Sequence, residues 1–362
     1  MKLSYNLFKA RFSLAIFYLY FFVFVISNSL LVDNYAALLP NQVSYWFKHA
    51  VIIIAAFFSI IFFTGKVLKS ILIFSIIILI YFLGRQYLFA VMVMCFAISS
   101  PLIGAGIKHL LLSNGIKALL VLLFIALIPV VFNLIMGDFN SLYNNYYGRG
   151  RLLLGYAHPK EAAAPFLVFF LLLFIKSKNQ RKFINWVGAF LLILIGSRNS
   201  FLYFLLFAFF SSRVKFKFFY ISLIVLFILT LFVLSFDNAF EVINVFSSNR
   251  FEAWNNYMLF NDSRGEEVIK ADSFLVEIFL MVGWFGIGAY FFWWIWLVIY
   301  QKGYNAILYK SSLIFTPILC LFFYSLIDSG FASSGNLIHV LSWGLFNSNL
   351  KFKNEAIIQP NS

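Results

Sequence analysis

The chain has 362 residues, of which 63% are hydrophobic and 11% charged. A soluble domain carries about 25% charged residues, so no water-soluble fold can hide this much apolar surface. The composition describes an all-α, polytopic integral membrane protein. The net charge of +14 would suit a nucleic-acid binder, but the cations fall in short loops between apolar runs. That placement is a topology signal, and no nucleic-acid partner is expected.

In chain order, apolar runs of spanning size occupy residues 12–32, 50–63, 70–83, 87–105 and 117–136. The first keeps Lys2, Lys9 and Arg11 ahead of it and is too long for a signal-peptide core. It reads as a retained span that also targets the chain. Cys95 and Cys320 both lie inside apolar runs, so neither a disulfide nor a metal site is expected.

The next stretch, RGRLLLGYAHPKEAAAPFLVFFLLLF from Arg149 to Phe174, sets charges directly against Phe and Leu. Arg149 and Arg151 are two apart, and in an extended segment they share a side. Pro159 suits the first turn of a helix, and the residue before a proline avoids helical angles. His158 is therefore the expected cap, with Glu161 in the first turn. The free N–H groups and partial positive charge of that helix start, beside two guanidiniums, describe an anion site. Snorkelling of both arginines to lipid phosphate is the plainer alternative. Pro165 is expected to kink the helix.

Runs 161–175, 183–195 and 201–212 follow. The stretch LLILIGSRNSFLYFLL could be one helix with Arg198 embedded or two helices joined at 196–200. With two helices and a cytoplasmic N-terminus, most of the 27 Lys and Arg lie in cytoplasmic loops. With one helix every later loop flips and the split becomes nearly even. The positive-inside rule favours two. So does the cost of an arginine at the bilayer centre, about 2.5–3.5 kcal/mol or more. Arg198 then stands near the outer surface, either as an interfacial anchor or as a third guanidinium for the same anion. In this frame the two longest loops, 137–160 and 237–272, lie outside, and any chemistry belongs to that face. Residues 1–350 form one transmembrane domain, with 351–362 a cytoplasmic tail.

Run 218–236 leads into the second outer loop. Its SSNRFEAWNNYM part, carrying Arg250, is an amphipathic helix with Phe251, Trp254, Tyr257 and Met258 on one face. That face could rest on the membrane or cover a site. Asp272 and Ser273 form a good N-cap for run 273–300. Glu277 lies one turn inside, where an ionisable group needs a partner or an aqueous cavity. Asp272 and Glu277 are about 140° apart around a helix and do not converge. Runs 312–327 and 336–346 bring the total to about twelve spans, several shorter than the ~20 residues of a full crossing. Asp328 and His339, flanking the last outer turn, read as satisfied structural polar residues.

Four of these stretches carry a resemblance. RLLLGYAHPKEAAA resembles the R-x-x-x-G-[FY]-x-H-P-N signature of the Wzy-type repeat-unit polymerases of bacterial O-antigen and capsule, relatives of the O-antigen ligases. LLILIGSRNSFL looks like their short helix ending in [TG]-S-R, and SNRFEAW resembles the R-x-x-x-W of their large outer loop. ADSFLVEIFLMVGWFGIGAYF is similar to their D-[NS]-x-[FY]-L-x-x-x-x-x-x-G-x-x-G. Order and spacing agree from Arg149 to about Tyr290. Lys160 stands where the family has Asn. Asp272–Ser273 stands where ligases have His–Asn, which favours polymerase over ligase.

The resemblance implies a multi-pass glycosyltransferase of the cell inner membrane, serving lipopolysaccharide or capsule biosynthesis with its active site facing the periplasm. A glycan on undecaprenyl pyrophosphate would move en bloc to a sugar hydroxyl of a lipid-linked repeat unit. The implied partners are undecaprenyl-pyrophosphate-linked oligosaccharides and membrane lipid, with a chain-length regulator and a flippase alongside. A pyrophosphate leaving group needs no acid, but its charge must be stabilised, and guanidiniums with a helix N-terminus do that. Arg151, Arg198 and Arg250 are the candidate pyrophosphate ligands, with Arg149 as helper. His158, Glu161 and Asp272 are candidate bases for the acceptor hydroxyl. No outer carboxylates are spaced like an Asp-x-Asp metal site, so metal-independent action without a cofactor is expected. An O-antigen ligase shares these physics. A lipid-linked oligosaccharide flippase or transporter is opposed by the scarcity of mid-span ionisable groups and the lack of a repeat.

Overall fold

The computed structural model describes residues 2–29, 41–112, 116–146, 149–177, 181–211, 274–306, 312–327 and 336–348. Helices α1 (Lys2–Ser27), α2 (Asn41–Leu83), α3 (Tyr87–Leu112) and α4 (Ile116–Ile135) come first. A two-stranded antiparallel ribbon follows, β1 (Tyr143–Tyr146) and β2 (Arg149–Leu152). Then come α5 (Pro159–Lys176), α6 (Arg181–Ile195), α7 (Arg198–Ser211), α8 (Phe274–Val282), α9 (Trp284–Ala306), α10 (Ser312–Ile327) and α11 (Leu337–Asn347). Four segments, Ser4–Ser27, Trp46–Leu83, Tyr87–Leu112 and Ile116–Ile135, are long and apolar enough to cross a membrane. The chain is a helical, membrane-associated protein, and the ribbon is the one departure from an all-α fold among the described residues. Run 218–236 and the amphipathic stretch around Arg250 lie outside the described residues.

Three helix boundaries differ from the hydropathy reading, each for a local reason. Run 12–32 stops being helical at Ser27 because polar side chains take its last carbonyls. Ser27 Oγ donates to Val23 O (2.6 Å), Asn28 Nδ2 to Phe24 O (2.7 Å) and Ser29 Oγ to Ile26 O (2.7 Å). Runs 50–63 and 70–83 are joined in one 43-residue helix whose only break is Phe63, with φ −138° and ψ 29°. At about 1.5 Å per residue such a length is roughly twice a bilayer core of ~30 Å, so it cannot be one straight crossing. The hydroxyl of Thr64 bonds back to Ile60 O at 2.7 Å, satisfying a carbonyl at the bend. Run 273–300 breaks at Gly283, whose φ of +70° suits glycine, and Ile278 of α8 then packs against Gly286 of α9. By contrast α5 runs unbroken through Pro165.

Contacts fix the directions of the early helices. The first arm of α2 is antiparallel to α1, since Lys9 Nζ meets Phe62 O and Lys48 Nζ donates to Asn28 Oδ1 (3.2 Å). Its second arm is antiparallel to α3 through Ser70–Ser100 (2.9 Å), Phe74–Phe96 and Tyr81–Phe89. Helix α3 is itself antiparallel to α1, with Gly106 against the Ser13 backbone and Leu102 beside Ile16. The two arms of α2 therefore run opposite ways. Lys9, Phe62 and Lys66 mark one end of the bundle, the lysine end, where Lys108 also falls. Asn28, Lys48 and the ribbon mark the other, the ribbon end.

Helices α5 and α11 are buried nearly all round, as expected of interior helices. Trp343 of α11 packs on Phe74 and Trp293, and Trp293 Nε1 donates to Ile73 O at 2.6 Å. Lipid tails are as apolar as Leu, so close packing and interhelical hydrogen bonds carry helix association. Asn347 Nδ2 to Ser100 Oγ (2.9 Å) and Tyr203 OH with Ser342 Oγ (2.7 Å) are such bonds. His339 is fully buried in α11, edge-on to Tyr324. Asp328 lies outside the described residues. Phe57, Phe183, Trp186 and Phe190 point outward, where lipid would meet them.

Candidate anion site at the ribbon end

The ribbon is pinned before it reaches the charged turn. Its register pairs Asn144 with Arg151 and Tyr146 with Arg149. Asp138 caps the preceding turn through Ser141 N (3.2 Å) and Ser141 Oγ. Past β2, Ser29 and Tyr156 form a bridge, and Ala157 N donates to Asn28 O at 3.2 Å. The Tyr156 hydroxyl donates to Ala126 O at 2.9 Å, and burial pushes its phenol well above the usual range. The chain thus enters α5 from a segment tied to both α1 and α4.

His158 is the N-cap of α5, extended at φ −141° and ψ 144°, and its Nδ1 accepts from Lys160 N at 3.1 Å. That bond puts the proton of the neutral imidazole on Nε2. In this state the exposed ring offers a donor rather than a base. Glu161, half-buried in the first turn, is within the field of Lys48. Lys48 is 6% exposed, hydrogen-bonded to Asn28 Oδ1 and set 5.6 Å from the centre of the Phe24 ring. The Asn28 side chain therefore holds Lys48 while its carbonyl holds the backbone just before His158. Sequence reading gave Lys48 no role. The available signal was a lone lysine, beside His49, at the start of a run that is otherwise apolar.

Arg151 reaches the turn between α6 and α7. Gly196 has φ +72°, and a methyl placed there would stand 3.3 Å from Cγ and Cδ of Arg151 and 3.5 Å from its Nε. The arginine stem therefore lies across the GSR turn. Ser197 Oγ donates to Ser200 Oγ at 3.0 Å, and Phe201 N to Ser197 O at 3.0 Å, which closes the first turn of α7. Two helices break at Gly196–Ser197 as charge counting expected, and Arg198 is the first residue of α7.

Of the expected site residues, Arg151 meets the turn that leads into α7, whose first residue is Arg198, while His158 and Glu161 open α5 a few residues beyond β2, and Arg149 lies two positions from Arg151 on β2. Arg250 and Asp272 lie outside the described residues. Glu277, in the first turn of α8, acts on Tyr81 of α2. Cationic side chains and two helix N-termini at one end of a membrane bundle can hold a phosphate-type anion. Among the described residues no three His, Cys, Asp or Glu side chains group closely enough to hold a metal ion. No protein-family model, curated protein or solved structure matches the chain.

Proposed function

We propose that the chain is a polysaccharide polymerase of the O-antigen or capsule type, with about twelve spans in the inner membrane and its ribbon end in the periplasm. The observation that carries the reading is the Arg151 stem lying against Gly196. It joins the first two of the four stretches on which the resemblance rests. In the proposed step the acceptor sugar hydroxyl attacks the anomeric carbon of the donor glycan. A C–O bond forms, the bond to pyrophosphate breaks, and its electron pair leaves on the phosphate oxygen. The hydroxyl proton passes to the Glu161 carboxylate. Arg151 and Arg198, with Arg149 beside them, meet the growing negative charge as preorganised donors. His158 caps α5 and donates from Nε2. The charge of Lys48 faces the Glu161 carboxylate.

A surface-polysaccharide gel from a deletion strain, complemented with wild type or Arg151→Ala, tests this. Loss of polymerase leaves lipid A core bearing one repeat unit, and Arg151→Ala should give the same pattern while still inserting in the membrane. Bare core from the deletion would assign the chain to ligation or flipping instead. Normal ladders from Arg151→Ala would remove that arginine from the site. Arg151→Lys should rescue poorly, since an ammonium lacks the planar fork.

A further inference from the structure

The lysine end carries a second cationic cluster, separate from the ribbon end and independent of any glycosyl transfer. Lys9 Nζ meets the Phe62 carbonyl at the bend of α2 and sits 3.8 Å from the centre of the Phe63 ring. Lys66 Nζ stands 5.5 Å from the centre of that same ring. Lys108 is drawn to this place by the packing of Gly106 on Ser13, and the charges of Lys108 and Lys9 both act on Lys66. Helices α1 to α4 contain no Asp or Glu. Three like charges from three helices thus converge with no carboxylate on α1–α4 to offset their repulsion.

Phe8, Ile61, Leu68 and Leu112, all from the same turns, are each at least half exposed. An occupant of this place meets cations at its head and apolar side chains along its flank. We propose that Lys9, Lys66 and Lys108 bind the phosphate of an anionic phospholipid, whose acyl chains lie along these apolar residues. A lone phosphate would satisfy the ammoniums but leave the apolar flank unused.

Native mass spectrometry of the full chain in detergent, with matched-chain phosphatidylglycerol or phosphatidylcholine added, tests the site. Retention of phosphatidylglycerol should exceed that of phosphatidylcholine about tenfold, given the attraction of each lysine for an anionic surface. The double variant Lys9→Gln with Lys66→Gln should fall to the phosphatidylcholine level. The charge-matched pair Arg85→Gln with Lys160→Gln, at the opposite end of the bundle, between α2 and α3 and at the start of α5, should retain the lipid. Equal retention by the first pair, or equal loss by the second, overturns the proposal. A third arm adds inorganic phosphate, which should neither bind by itself nor displace the lipid at comparable concentration. Phosphate binding as tightly as the lipid would contradict the phospholipid assignment.

Discussion

Gly196 is constrained twice. Its positive φ favours glycine, and the stem of Arg151 occupies the space a side chain would need. Gly196→Ala is therefore expected to cost about 1–2 kcal/mol from the left-handed backbone alone, and also to push the guanidinium of Arg151 away from the turn. Thermal unfolding in detergent should show the first effect, and shortened polysaccharide chains the second. A Gly196→Ala protein with unchanged melting and full-length chains would show that neither constraint acts. Lys48 shows how a single residue escapes a linear reading. Its importance comes from Asn28, twenty positions earlier, and from Glu161, more than a hundred later. No local pattern links the three.

At the scale of elements, the stretch GYAHPKEA carries two candidate bases, and under the proposed reading the first turn of α5 parts their roles. The His158 cap was legible because Pro159 dictates a helix start and forbids helical angles just before it. Which group the proposal names as base was not, since that choice rests on the Nδ1 bond to Lys160 N. His158→Ala should lower stability by about 0.5–2 kcal/mol, as lost caps do, with polymer length largely kept. Glu161→Gln should keep stability and lower the transfer rate about 10²–10⁴-fold, the usual worth of a general base. The reverse ranking in paired melting and rate measurements would give the base role to His158 instead. The bend of α2 at Phe63 falls at the end of run 50–63, where hydropathy already leaves a gap; what hydropathy does not show is that the helix resumes at once, with Thr64 bonded back to Ile60 O. The turn at Gly283 was hidden too. A glycine inside an apolar run reads equally as a packing site or a break, and only the contact of Ile278 with Gly286 decides it.

For the whole molecule, charge was the most legible feature. Charge counting sets Lys and Arg in loops on one side, and Lys9, Lys66 and Lys108 do gather at one end of the bundle. Asn28, Lys48, the ribbon and the GSR turn gather at the other. The ribbon itself was read only as an extended stretch, because two four-residue strands without apolar alternation carry no strand signal. The central claim joins these scales: the ribbon end holds a diphosphate while a glycan leaves it. The most direct test reconstitutes the purified chain in liposomes with a lipid-linked repeat unit and follows release of undecaprenyl pyrophosphate. The account predicts release with chain growth by wild type, and a fall of at least about 100-fold for Arg151→Ala, the scale of losing one preorganised charge contact. Wild-type protein that binds the lipid-linked unit but releases no undecaprenyl pyrophosphate, or Arg151→Ala protein that turns over as fast as wild type, would contradict it.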